Sequence, residues 1–200
     1  MKVFIDGENL RHRLVSALYH ERRIHDRDDM IKVDVRKLIT EALGETPSEI
    51  IYYTTKIRQP DFEIPHKLQH KIELIQESHR RWIADLTNQG IKVIKAGTLK
   101  VHESRTCYEC GKRTMLLHEK GVDVRVAIDI VQSALASPDE HIVVMSSDSD
   151  LIPAIEVARR VGTKISYLCG AGEENETVAL TTDNTYTYTH EQIIDCFKGI

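Results

Sequence analysis

The sequence predicts an α/β fold in which helices cover both faces of a central, mostly parallel sheet. Short runs of apolar, β-branched residues alternate with amphipathic helical patterns, and several runs end in small-residue turns that carry an aspartate. The chain has 200 residues, so we expect one domain over 1–200. Its formal net charge of −4 excludes a globally basic surface, so any nucleic-acid contact must come from a local patch.

The first half of the chain is predicted to contain three strands and three helices. The strands are expected at 3–5, 49–54 and 91–94, and the helices at 10–19, 35–43 and 65–88. Asn9 and Asp34 are the expected N-caps of the first two helices. Gly44 and Gly90 are expected to end the second and third helices, and Pro65 suits the first turn of the third.

The second half repeats this alternation after an irregular segment. Residues 97–119 lose the helical spacing and are expected to form a hairpin insertion. Strands are then expected at 142–145, 164–168 and 185–189, with helices at 122–135, from about 147 to 161, at 174–180 and at 191–197. Ser147, Asp148 and Ser149 are candidate N-caps for the helix that follows the 142–145 strand.

Aspartates stand at the points where such a sheet binds its ligands. Asp6 ends the first strand, Asp123 lies in the first turn of its helix, and Asp148 and Asp150 follow the 142–145 strand. Asp6 and Asp148 face each other if their strands are neighbours at the switch point of the sheet. Clustered carboxylates suit Mg²⁺ or Mn²⁺, which can activate water for phosphodiester hydrolysis. The alternative is that these aspartates only cap helices.

Three motifs carry a resemblance to the NYN domain, a PIN-like ribonuclease family. They are Phe-Ile-Asp-Gly-Glu-Asn at 4–9, Lys-Gly-Val-Asp-Val at 120–124 with Asp129, and Ser-Ser-Asp-Ser-Asp-Leu-Ile-Pro at 146–153. Their order and spacing match, they frame residues 3 to about 169, and the LabA-like branch is the most similar. The resemblance implies a PIN-like three-layer sandwich and a metal-dependent ribonuclease, with endonucleolytic cleavage as the expected mode.

The resemblance also implies roles for individual residues. Asp6, Asp123 and Asp148 would hold Mg²⁺ or Mn²⁺, and Asn9 and Asp150 would orient the ligands or a water molecule. Candidate substrate contacts are Ser146 and Ser147, near the scissile phosphate, and Lys120, which is otherwise a solvated side chain. Asp129 follows Asp123 by six residues and points about 120° away from it on a helix, so we place it outside the ligand set.

The hairpin segment contains a possible zinc site. Cys107 and Cys110, followed by Gly111, form a Cys-x-x-Cys-Gly turn of the kind that holds structural zinc. A closed site needs four ligands, and the candidates are His102 and His118 or two cysteines of a second subunit. The alternative is a pair of thiols without metal.

The basic and histidine residues of the 65–88 helix leave three interpretations open. They could form an RNA path, a solvated face balanced by Glu73 and Glu77, or a homodimer interface. The sequence shows no signal peptide and no apolar run of bilayer length, which predicts a cytoplasmic protein with no membrane partner.

Two other functions are weighed against an RNA nuclease. A non-catalytic nucleic-acid-binding or regulatory NYN module would have no reason to keep carboxylates that repel phosphate. A phosphatase of the haloacid-dehalogenase type would need an aspartate two residues after Asp6, where this chain has Glu8.

Overall fold

In the computed structural model, which describes residues 1–25, 32–57, 66–103, 109–111 and 115–199, the strands form one sheet. The strands are β1 (Lys2–Asp6), β2 (Glu49–Lys56), β3 (Lys92–Glu103), β4 (Met115–Lys120), β5 (Ile142–Met145), β6 (Ile165–Gly170) and β7 (Asn184–Tyr188). Their spatial order is β4-β3-β2-β1-β5-β6-β7. All neighbours run parallel except β3 and β4, which form an antiparallel hairpin. The predicted mostly parallel sheet is therefore confirmed.

Helices cover both faces of the sheet. They are α1 (Gly7–His20), α2 (Val35–Leu43), α3 (His66–Asn88), α4 (Val122–Ala136), α5 (Ile152–Arg160), α6 (Glu176–Thr181) and α7 (His190–Asp195), with a 3₁₀ turn at Ser149–Leu151. One core contains Leu14, Leu38 and Trp82, and the other contains Val126 and Ile155. The architecture is thus the predicted three-layer sandwich. No described helix is long and apolar enough to cross a membrane.

The central strand β1 shows why the site is rigidly supported. Val3 and Ile5 enter one core while Phe4 enters the other, and all three are almost fully buried. Burying each such side chain stabilises the fold by about 1.5–3 kcal/mol. A strand buried on both faces gives its last residue a fixed position, and here that residue is Asp6.

The chain order reverses on either side of β1. β2 to β4 lie on one side of it and β5 to β7 on the other, so β1 and β5 flank the switch point. Ile5 is in register with Met145, and the residues that come next are Asp6 and Ser146. The expected neighbourhood of Asp6 and the 146–150 turn is confirmed.

The N-cap expected at Asn9 is wrong. The helix α1 begins at Gly7, and Asp6 is its N-cap, because the Asp6 carboxylate accepts a hydrogen bond from the Asn9 amide at 3.2 Å. Gly7 permits this early start, since a Cβ there would collide with the Tyr53 carbonyl and the Tyr52 ring.

The strand β3 is much longer than the predicted 91–94. After a register shift between Thr54 and Thr55 of β2, pairing continues from Gly97, and β3 then pairs with β4. The hairpin predicted at 97–119 therefore extends the central sheet. Gly97 is required at the bend, because a Cβ there would press on Val122 and on the Lys120 carbonyl.

Candidate active site at the carboxyl edge of the sheet

Asp6 is held between two strands and a helix. One carboxylate oxygen accepts from the Asn9 amide, and the other accepts from the Ser146 hydroxyl at 3.1 Å. That hydroxyl also accepts from the Asp148 amide at 3.2 Å. Ser146 is only 3% exposed, and its hydroxyl links the ends of β1 and β5. Its expected position near the scissile phosphate stays a prediction.

The turn after β5 is fixed by further bonds. Asp148 is the N-cap of the 3₁₀ turn and accepts from the Asp150 amide at 2.8 Å, so it both caps and faces the crevice. The Ser147 hydroxyl is 2.8 Å from the Tyr167 hydroxyl, and its carbonyl accepts from the Asn175 side chain at 2.9 Å. These contacts make Ser147 part of the scaffold of the site.

The charges of the predicted carboxylates act on one another. Burial raises the pKa of Asp6, opposed by its bonds from Asn9 and Ser146, and the charge of Asp148 raises it further. Partial burial also raises the pKa of Asp123. The negative charges of Asp148, Asp6 and Asp150, in that order, raise it further. The structure therefore brings Asp123, at the start of α4, to the ends of β1 and β5.

This group of oxygens matches the ligand preference of Mg²⁺ and Mn²⁺. Within the described ranges, none of Asp6, Asp123 and Asp148 forms an ion pair with a basic side chain. In the described residues, no three His, Cys, Asp or Glu side chains are already arranged closely enough to hold an ion. A divalent cation would relieve the mutual repulsion and draw them together, so the donor set fits such an ion.

Asp129 lies outside this group, as predicted. Its carboxylate accepts from the Tyr53 hydroxyl at 2.9 Å and from Arg125 Nε at 2.8 Å. These bonds tie α4 to β2 beneath the site. Lys120 is exposed at the end of β4 and forms no ion pair in the part of the chain that the structure describes.

A second set of residues at the same edge was not found from the sequence. Thr54, near the end of β2, lies 2.8 Å from Nε2 of His79 on α3. Burial lowers the pKa of His79 to about 4, helped by the nearby charges of Lys95 and Arg11. These residues come from β2, α3, β3 and α1, so only the tertiary register unites them. No local pattern signals the set.

The exposed basic face of α3 has an internal counter-charge. Glu77 lies 2.6 Å from both Arg80 and Arg81, and these guanidinium groups hold the pKa of its carboxyl below the usual value. His79 points inward to Thr54. The structure thus favours the solvated-face interpretation for this part of the helix.

The zinc prediction falls largely outside the described residues. Cys107 lies there, and Cys110 is an exposed free thiol. The backbone of His102 is in register with Leu116, and that of His118 with Lys100. The site stays a prediction, which elemental analysis of the purified protein can test. Cys169 and Cys196 are buried, as expected of core residues.

Fold and site together define an α/β protein of the doubly wound type with an acidic crevice at its switch point. The family model of the NYN domain matches residues 1–190, so the chain belongs to the NYN domain family. The crystal structure of a protein of unknown function from Vibrio parahaemolyticus is similar, with a TM-score of 0.53 and 13% identity over 93% of this chain and 90% of that one. At this identity the likeness shows the fold alone. No curated protein matches the chain.

Proposed function

We propose that the protein is a metal-dependent nuclease that hydrolyses phosphodiester bonds of RNA. The observation that carries the proposal is the set of carboxylates at the switch point of an NYN domain, unpaired with cations in the described chain and with raised pKa at Asp6 and Asp123. A binding module gains nothing from such mutual repulsion. The resemblance to the LabA-like branch and the endonucleolytic mode stay predictions of the sequence.

We assign each residue a role within this proposal. Asp6, Asp123 and Asp148 would hold Mg²⁺ or Mn²⁺. The ion would act as a Lewis acid, which lowers the pKa of water and stabilises developing charge on the phosphate. Ser146 fixes Asp6 and the Asp148 backbone in one unit. Asp150 is exposed beside them and would orient the ligands or accept a proton from an attacking water.

The test is a cleavage assay with a matched pair of variants. The protein is incubated with RNA and single-stranded DNA oligonucleotides in Mn²⁺, in Mg²⁺ or in excess EDTA. Asp148→Asn removes one proposed ligand, and Asp139→Asn changes an exposed aspartate outside the site. We expect RNA cleavage only with metal, at wild-type rate in Asp139→Asn and at background in Asp148→Asn.

Two results would contradict the proposal. Full activity in excess EDTA removes the metal mechanism, and equal cleavage by wild type and Asp148→Asn removes the acidic crevice as the site. Cleavage of DNA but not RNA would support metal-dependent phosphodiester hydrolysis and contradict RNA as the substrate.

A further inference from the structure

The two flanks of the acidic crevice carry opposite charge. On the side of β2, β3 and β4 lie the cations Arg11, Lys95 and Lys120, none of which is ion-paired within the described residues. On the side of β6, the loop that follows the strand carries Glu173, which is ion-paired with Arg13, and Glu174, and Glu176 opens α6. Glu174 and Glu176 are therefore the acidic residues of this flank that form no ion pair with a cation in the described chain. Asn175 holds that loop against the site through its bond to the Ser147 carbonyl.

The Lys95 backbone lies close to the height of the metal ligands along the strands. Asp6 is in register with Tyr53 of β2, and Thr54 is in register with Lys95 of β3. With neighbouring strands about 4.8 Å apart, the Lys95 backbone is two strand spacings from Asp6, or about 10 Å. Arg11 lies on α1, the helix that Asp6 caps. Its charge acts on His79 and, together with the opposite charge of Glu8 in the first turn of the helix, on Tyr52.

These cations do not serve the fold as ion pairs. Burial and, after it, the charges of Lys95 and Arg11 lower the pKa of His79, so the ring that bonds to Thr54 is neutral near pH 7. Cations gathered without a carboxylate partner repel one another, in the same way as the aspartates beside them. A polyanion that spans both groups, with a metal ion at the aspartates, would neutralise the whole edge.

We propose that the RNA backbone lies across the carboxyl edge of β1, β2 and β3, with its phosphates on Arg11 and Lys95, and that the β6 flank stays free of nucleic acid. The proposal rests on the proposed function, and it states on which side of the aspartates the bound strand runs. Arg11 and Lys95 are positioning residues: they contact phosphates beyond the scissile one and take no part in the chemical step.

The test compares two double variants that remove the same charge. Arg11→Gln with Lys95→Gln changes the proposed path, and Arg160→Gln with Lys164→Gln changes an exposed Arg and Lys at the opposite edge of the sheet. Affinity for a fluorescent single-stranded RNA oligonucleotide is measured over a range of salt concentrations in EDTA, so that the strand is not consumed. Melting temperatures confirm that each variant is folded.

We expect the slope of log affinity against log salt to fall in magnitude by about 1.4 in the first double variant, since each single-strand phosphate contact contributes about 0.7. The second double variant should keep the wild-type slope. In the cleavage assay with Mn²⁺, the first variant should show a raised KM and an unchanged kcat, because it loses binding that ground state and transition state share. Glu174→Gln with Glu176→Gln should bind RNA at least as well as wild type.

Three outcomes would overturn the path. They are an unchanged slope in the first variant, an equal loss in both double variants, or a loss of affinity on removing the glutamates. Failure of the proposed function looks different: wild type would then cleave no RNA in any metal, while the salt slopes still report on the path.

Discussion

Carboxylates at the two edges of the same sheet have opposite surroundings. At the amino edge, Glu140 lies 3.0 Å from Lys2, and its pKa is lowered by that bond. Burial acts to raise the pKa of Asp183, but bonds from the Ile165 amide at 2.8 Å and from Arg159 outweigh it and hold the pKa low. At the carboxyl edge, Asp6 and Asp123 have no such cation within the described chain, and the pKa of each is raised.

The sign of each shift tells what the residue does for the fold. A carboxyl with a lowered pKa stabilises the folded state at neutral pH, and one with a raised pKa destabilises it. The amino edge thus uses its acids for stability. The carboxyl edge keeps acids that cost stability, which is understandable if they serve a ligand absent from the apo protein.

The largest expected effect is on catalysis. Asp123→Asn should lower RNA cleavage by at least about 100-fold, the lower end of the cost of removing a group that stabilises transition-state charge. Asp183→Asn should leave the rate unchanged at a temperature well below its melting point, because it lies at the opposite edge. Single-turnover rates in Mn²⁺ measure both. Equal losses in the two variants would contradict the division between edges.

The second prediction concerns metal binding without turnover. Mn²⁺ should raise the melting temperature of the wild type, because binding to the folded state alone stabilises it by about 2.7 kcal/mol at 100 times Kd. Asp123→Asn should gain clearly less, while Asp183→Asn should gain as much as the wild type. Mg²⁺ should act in the same direction, with Mn²⁺ at least as effective. A metal shift that Asp123→Asn retains in full would exclude Asp123 as a ligand.

The third prediction concerns the stability of the apo protein. At neutral pH and in EDTA, Asp123→Asn should melt a few degrees higher than wild type, and Asp183→Asn should melt lower. The raised pKa of Asp123 means that its destabilising effect appears as pH rises above 3.8. The lowered pKa of Asp183 means that its stabilising effect is present above 3.8 and is lost as pH falls through the folded value.

Melting curves at several pH values check both signs. A lower melting point for apo Asp123→Asn at neutral pH would show that this carboxylate stabilises the fold. The acidic crevice would then need no ligand to explain it.

Local signals account for the parts of the fold that the sequence predicted closely. The helix α2 has its cap at Asp34 and ends at Gly44 with φ +71°, and both signals lie within the helix and its flanks. The sequence predicts only residues 91–94 of the strand β3, because the rest of the strand depends on a register shift against β2 and on pairing with β4. Such pairing has no trace in a short window of sequence.

The same distinction applies to the site. Asp6 ends one buried strand and Asp148 follows another, so their meeting at the switch point was predictable from topology. The use of Ser146 as a bridge and the presence of Lys95 beside His79 depend on side chains from distant segments. These contacts exist only once the sheet has assembled, so the sequence could not show them.

The smallest expected effect concerns a histidine at each edge of the sheet, and here the two edges agree in sign. The pKa of His79 is lowered to about 4, first by burial and then by Lys95 and Arg11. At the amino edge, His141 lies 2.8 Å from the Ser166 hydroxyl, and its pKa is lowered by burial and by Lys164. For a histidine with a lowered pKa, stability is complete above about 6.5 and is lost as pH falls toward the folded value. His79→Gln should therefore be near neutral at pH 7.5 but more stable than wild type at pH 5 by about 1 kcal/mol, a modest value because the ring is partly exposed. Denaturant unfolding at the two pH values measures this, with His20→Gln as the control at a side chain that is 79% exposed. If His79→Gln changes the free energy of unfolding equally at both pH values, the pKa of His79 is not lowered. Burial and the charges of Lys95 and Arg11 would then act on the ring less strongly than the structure indicates.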